Sequence, residues 1–173
     1  LLIFLKQEFI SPPEPGEFVS LSGKILGEHL GIPFYTIGQR RGIGINDITP
    51  YYVVKIDYET NRIFLGKEDD LYSQFINVSE VNWVSILPPE KPLRVTAKLR
   101  YMHKGSFATV FPKSESQVQV KLDIPERAVT PGQSAVFYQN DKVVGGGIIE
   151  TVPEKPALYD IKSLPIISTN EQL

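Results

Sequence analysis

The chain has 173 residues, of which 42% are hydrophobic and 22% charged, with a formal net charge of −2. That balance suits a folded globular protein and supplies no global basic field, so a nucleic-acid partner would have to meet a local patch. With no cysteine, the chain has no disulfide scaffold, no thiolate zinc site and no cysteine nucleophile of its own.

No stretch approaches the roughly 18 apolar residues of a membrane span. The opening "LLIFLKQEFI" has neither a basic start nor a small-residue cleavage site. The sequon "NVS" at Asn77 to Ser79 lacks a secretory context. The expectation is a cytoplasmic protein with no membrane partner.

In chain order, residues 1–15 read as a helical remnant and linker. Leu2, Leu5 and Phe9 recur at spacings of three and four. "SPPEPGEF" then stops the helix, because Pro12, Pro13 and Pro15 have no amide donor. Without an initiator Met, this start reads as a piece cut from something longer. Residues 16–87 are expected to form a small central β domain from the runs "EFVSL", "GKILGEH", "PFYTIG", "YYVVKIDYETNRIFLG" and "FINVSEVNWVSI". Within it, "DYETNR" is a hairpin turn. "LPPEKP", from Leu87 to Pro92, has three prolines in six residues and reads as the linker.

Residues 88–152 alternate more cleanly. "PLRVTAKLRY", "SFATVF", "QVQVKLDIP", "SAVFYQ" and "KVVGGGIIE" are strands at barrel or sandwich spacing. "TPGQ" puts Pro131 and Gly132 at the centre of a type II turn, and "QNDK" is a second hairpin turn. Residues 153–173 receive no element. The fold class is all-β.

Two segments carry candidate chemistry. "GEHLGIPFYTIGQRRGIGI" lacks the full G-x-G-x-x-G and no long helix follows, which argues against a nucleotide loop. Its glycines make turns. Gln39, Arg40 and Arg41 on the loop between them suit phosphate and base-edge contacts or a plain solvated turn. In "KPLRVTAKLRYMHKG", Lys91, Arg94, Lys98, Arg100 and Lys104 are five cations with no acid between them. Alternation places Arg94, Thr96, Lys98 and Arg100 on one strand face. Such a stripe beside an aromatic suits single-stranded nucleic acid, although charged residues also occupy solvated faces by default. Strict alternation turns Tyr101 inward, so it can serve RNA only where the strand ends or bulges.

Other polar groups read as structural. His29 and His103 have no ligand-spaced companions. Glu68, Asp69 and Asp70 look like a solvated turn. "GGG" at Gly145 to Gly147 signals close backbone approach by a strand or a ligand. No metal site and no catalytic constellation emerges.

The motifs "GEHLGIPFYTIGQRRGIGI", "VNWV", "TAKLRY", "RAVTPGQSAVFY" and "GGGII" occur in the order and spacing of the tRNA-specific 2-thiouridylases, which residues 1–150 resemble. The resemblance implies a central β domain followed by a C-terminal antiparallel β-barrel. It also implies that the ATP-binding catalytic domain and its cysteines lie outside this chain, which itself would need no cofactor. In the family, ATP activates C2 of the wobble uridine and a cysteine persulfide delivers sulfur, while the barrel side helps hold the tRNA.

Matched residue by residue, the tRNA contacts fall on Arg100 and Tyr101 in "KLRY" and on Gln133 in "TPGQ". Gln39, Arg40, Arg41 and Lys98 are weaker candidates for RNA or domain contact. Expected partners are tRNA, the chain's own catalytic domain and a sulfur-donor protein. Nothing resembles a methyl-donor site. The alternative is a non-catalytic β module that docks to its catalytic domain or to another protein, with little RNA affinity of its own.

Overall fold

The structure is a computed structural model that describes residues 13–101 and 104–152. Most of the expected helical remnant, His103 and the tail from 153 lie outside the described residues.

Five-residue strands β1 (Gly16–Ser20) and β2 (Ile25–His29) form an antiparallel pair, and β3 (Tyr52–Asp57) and β4 (Arg62–Gly66) form a second. The "DYETNR" hairpin is present, with Asn61 at φ 52 in its turn. Parallel pairing of β1 with β4 joins the two hairpins into a four-stranded sheet, ordered β2-β1-β4-β3. Phe18, Val53, Ile63 and Leu65 are buried in its core with Ile32 and Ile43 from the loops. "PFYTIG", expected as a strand, is a 3-10 turn at Ile32–Phe34 followed by loop. Pro33 has no amide for a ladder, and Gly31 (φ 127) and Gly38 (φ 85) turn the backbone at either side.

Six strands make the rest: β5 (Tyr72–Trp83), β6 (Leu93–Lys98), β7 (Ser106–Pro112), β8 (Val118–Arg127), β9 (Ser134–Gln139) and β10 (Lys142–Thr151). They close as an antiparallel barrel in the order β10-β5-β8-β7-β6-β9. Alternation drives closure. In β8, Val118, Val120 and Leu122 are fully buried while Lys121 and Asp123 between and after them are exposed. Val95, Ala97, Val110, Phe137 and Ile149 complete the interior. Each large side chain so buried contributes about 1.5–3 kcal/mol.

The change of sheet falls at Leu71/Tyr72, not at "LPPEKP". Residues 72–83, assigned from sequence to the central domain, are a barrel strand paired with β8 and β10. The proline-rich segment connects β5 to β6 inside the barrel.

The triple glycine is explained by strands. A Cβ on Gly147 would lie 2.4 Å from the Ser79 carbonyl, one on Gly145 2.8 Å from that of Asn82, and one on Gly146 2.7 Å from that of Ala135. Neighbouring strand backbone, and no ligand, fills that space.

His29 is the buried polar residue of the N-terminal sheet, 1% exposed. Its Nδ1 accepts from the Gly31 amide (3.1 Å), so Nε2 carries the proton and donates to the Asn61 carbonyl (3.2 Å). The ring packs edge-on against Phe18 and Tyr35. Burial lowers its pKa, only partly opposed by the bond to Asn61. A structural role, as read from the sequence, fits this geometry.

Candidate nucleic-acid interface

β6 ends at Lys98, and that ending shapes the site. Leu99 still packs inward, but Arg100 and Tyr101 have left the ladder. Tyr101 is 100% exposed, although continued alternation would have buried it. Arg100 and Gln133 line one small concavity together with Arg127 and Ala128. Gln133 stands on the expected turn, where Gly132 has φ 84. That turn is tied to β10 by bonds from Gly132 N–H to the Ile149 carbonyl and from Ile149 N–H to the Gln133 carbonyl, both 2.8 Å. The turn backbone is therefore fixed while the Gln133 side chain faces solvent.

The basic stripe is less free than its sequence suggests. Arg94 is forked onto Asp123 of β8, with Nη1 2.6 Å from Oδ1 and Nη2 bonded to Oδ2. Its guanidinium also lies over the exposed Phe107 ring. Lys98 sits over the Tyr138 ring at 5.0 Å. Arg100 makes one long bond, from Nη1 to the Arg127 carbonyl at 3.4 Å. The Arg100 end of the stripe is therefore tied less tightly than Arg94, with Glu126 lining the same concavity.

The Gln39–Arg41 loop divides by residue. Gln39 braces the loop itself, its Oε1 accepting from the Thr36 amide (3.1 Å) and its Nε2 donating to the Arg41 carbonyl (2.9 Å). Its backbone pairs with Val53. Arg40 and Arg41 are exposed. Gly38, at the start of this loop, faces the barrel: a Cβ there would be 3.0 Å from that of Ala128.

Residues that sequence reasoning passed over hold this seam between the modules. Arg127 Nε donates to Glu68 Oε1 at 2.8 Å. The Arg127 guanidinium lies 5.7 Å from the Tyr52 ring centroid. Arg127 first and the Tyr52 hydroxyl second hold the Glu68 carboxyl below its usual range. The Glu68 carboxylate in turn raises the Tyr52 pKa. Ala128 N–H donates to the Leu71 carbonyl (2.9 Å). The acidic turn around Glu68 is a 3-10 turn at Glu68–Leu71 with a bridging job, which its run of acids concealed. The available hint was Arg127 standing beside "AVTPGQ".

Among the described residues, no group of three or more His, Asp or Glu is placed to hold a metal. Among the described residues, no helix is long and apolar enough to cross a membrane.

A four-stranded sheet joined to a closed six-stranded barrel also matches two known domain families. Residues 3–67 match the tRNA methyl transferase PRC-barrel domain, and residues 73–149 match the aminomethyltransferase beta-barrel domain. The first match stops and the second begins on either side of the sheet change at Leu71/Tyr72. This pair defines a β region of tRNA-modifying proteins.

The tRNA-specific 2-thiouridylase MnmA of Acetivibrio thermocellus is 48% identical over 147 residues, which is 85% of this chain and 41% of that protein. Its counterpart in Halothermothrix orenii is 46% identical over 147 residues, again 85% of this chain and 41% of the relative. MnmA 2 of a Thermoanaerobacter species is 47% identical over 146 residues, 84% and 40%. The chain belongs to the tRNA-specific 2-thiouridylase family, and it spans about 40% of the length of these relatives, corresponding to their C-terminal part.

Proposed function

We propose that this chain is the tRNA-holding part of an enzyme that makes 2-thiouridine at the wobble position. ATP-dependent activation of the base, and sulfur delivery from a donor protein in the cytoplasm, would belong to a catalytic domain that docks on this one. The observation that carries the reading is that Arg100 and Gln133 line one concavity at the end of β6 and the turn before β9, with Tyr101 next to Arg100 in the chain and fully exposed. Arg100 offers a planar fork for a phosphate, Tyr101 a ring for a base, and Gln133 an amide for a base edge or ribose. Arg41 adds an exposed cation on the neighbouring module.

The test is a titration of this chain with unmodified tRNA bearing a wobble uridine, at several salt concentrations. Binding should weaken with salt as counterions are released. Arg100→Ala should weaken it and flatten the salt dependence by roughly 0.7–0.9 in slope, the share of one phosphate. Unchanged affinity and slope in Arg100→Ala would sink the reading.

A second reading has its own observation. Arg94, Arg127 and Lys67 are each committed to a carboxylate, so the surface is more balanced than its cation count. A module that mainly docks to protein would show this, and salt-insensitive or absent tRNA binding would favour it.

A further inference from the structure

The Arg127–Glu68–Tyr52 cluster is built across the seam between the two sheets, and one of its members also touches the residue expected to meet phosphate. Glu68 and Tyr52 come from the N-terminal module, whereas Arg127 ends β8 of the barrel. The side chain of Arg127 goes to Glu68 and the Tyr52 ring, while its carbonyl takes Nη1 of Arg100. We infer that Arg127, held by Glu68 and Tyr52, is the positioning residue of the RNA surface: the placing of one module against the other sets where the Arg100 guanidinium stands. The inference rests on the tRNA-holding reading above and goes beyond it by naming what orients the contact.

Three features make the coupling mechanical. The ion pair is 2.8 Å long and the Tyr52 ring lies 5.7 Å from the same guanidinium, so the Arg127 side chain is held from two sides. Tyr52 itself is only 8% exposed on β3, which anchors that ring to a strand. Next to Arg127, Ala128 sits in the left-handed region (φ 54), bonded through its amide to the Leu71 carbonyl and against Gly38. A non-glycine residue persists there only where its surroundings over-determine it. The carbonyl that meets Arg100 therefore points where the seam sends it.

Charge and position predict opposite signs for one substitution. Glu68→Gln makes the chain less negative beside Arg100, Arg127 and Arg40, so a pure field effect tightens tRNA binding. Loss of position weakens it. The experiment compares tRNA titrations of the full chain, Glu68→Gln, Arg100→Ala and the double variant, with Tyr52→Leu as a charge-neutral variant that removes the ring beside the Arg127 guanidinium.

Glu68→Gln is expected to weaken binding about tenfold, on the scale of one charge-assisted contact. Tyr52→Leu should weaken it in the same direction. The double variant of Glu68 and Arg100 should bind no worse than Arg100→Ala alone, because position is worthless once the positioned group is gone. A general folding defect would instead multiply with Arg100→Ala. Equal or tighter binding by Glu68→Gln, no loss in Tyr52→Leu, or multiplying effects overturns the inference while leaving the tRNA-holding reading intact. An Arg100→Ala variant that binds like the parent overturns both.

Discussion

A buried histidine makes the clearest chemical forecast at the scale of single residues. His29 accepts from Gly31 through Nδ1 and is buried, so protonation would set two donors facing each other. Its folded-state pKa lies below the ordinary value, so the unfolded chain takes up the proton first as pH falls. The stabilisation is thus complete above about pH 6.5 and is lost as pH drops toward the lowered value. Melting temperature should fall between pH 7.5 and 5.5, and His29→Gln should flatten that fall while lowering stability throughout. A flat wild-type profile over this window would refute the assignment. Glu68 works in a separate window: its carboxyl is held low, so its contribution is present above about pH 4.5 and lost only in stronger acid. The sequence offered His29 only as a residue without ligand companions. Its partners, the Gly31 amide and the Asn61 carbonyl, are backbone groups that no spacing rule encodes.

At the scale of elements, alternation was enough to find the strands and not enough to say what faces them. β6 to β10 follow the runs that period-two patterning marks, β7, β8 and β10 extending one or two residues beyond them, because one face of each is Val, Ala, Leu, Ile or Phe in a closed interior. "GGG" in β10 signalled close approach but left strand and ligand both open, since it is decided by two neighbouring strands, β9 about ten positions back and β5 more than 60. Gly147→Ala tests the answer. The added methyl would sit 2.4 Å from the Ser79 carbonyl and 2.9 Å from Val78 Cγ1. It should cost about 1–3 kcal/mol as the β5–β10 ladder shifts, measured by urea unfolding followed through Trp83 fluorescence. A loss of less than a few tenths of a kcal/mol would mean that the ladder has room the geometry denies. The failures are equally physical. "PFYTIG" has the composition of a strand but contains Pro33 between two glycine-shaped turns. The run from Lys91 to Lys104 has no acid of its own, yet Asp123 neutralises Arg94 from the next-but-one strand.

Across the whole molecule, the sequence conveyed two β units and misplaced their border. Prolines mark loops reliably, and "LPPEKP" is a loop, but only pairing partners say which sheet a strand joins. β5 lies before those prolines and pairs with β8 and β10 beyond them. The same blindness hid the seam, whose ion pair joins residues 59 positions apart. A long motif singled out the residues at the end of β6, and the structure adds why Tyr101 faces outward: the ladder stops at Lys98.

The long reach of β5 also sets the order of events when the protein is made. Asn77 and Thr151 bond across 74 positions, whereas β1–β2 and β3–β4 are neighbouring hairpins. Non-local pairing of this kind folds in milliseconds to seconds. Trp83, on β5, should report the slow step in stopped-flow refolding; recovery of its fluorescence in microseconds would contradict this order. Synthesis delivers the closing strand last. Until Lys142–Thr151 leaves the ribosome, β5 and β9 are two bare edges, and this half of the protein is an open sheet exposed to pairing with its neighbours.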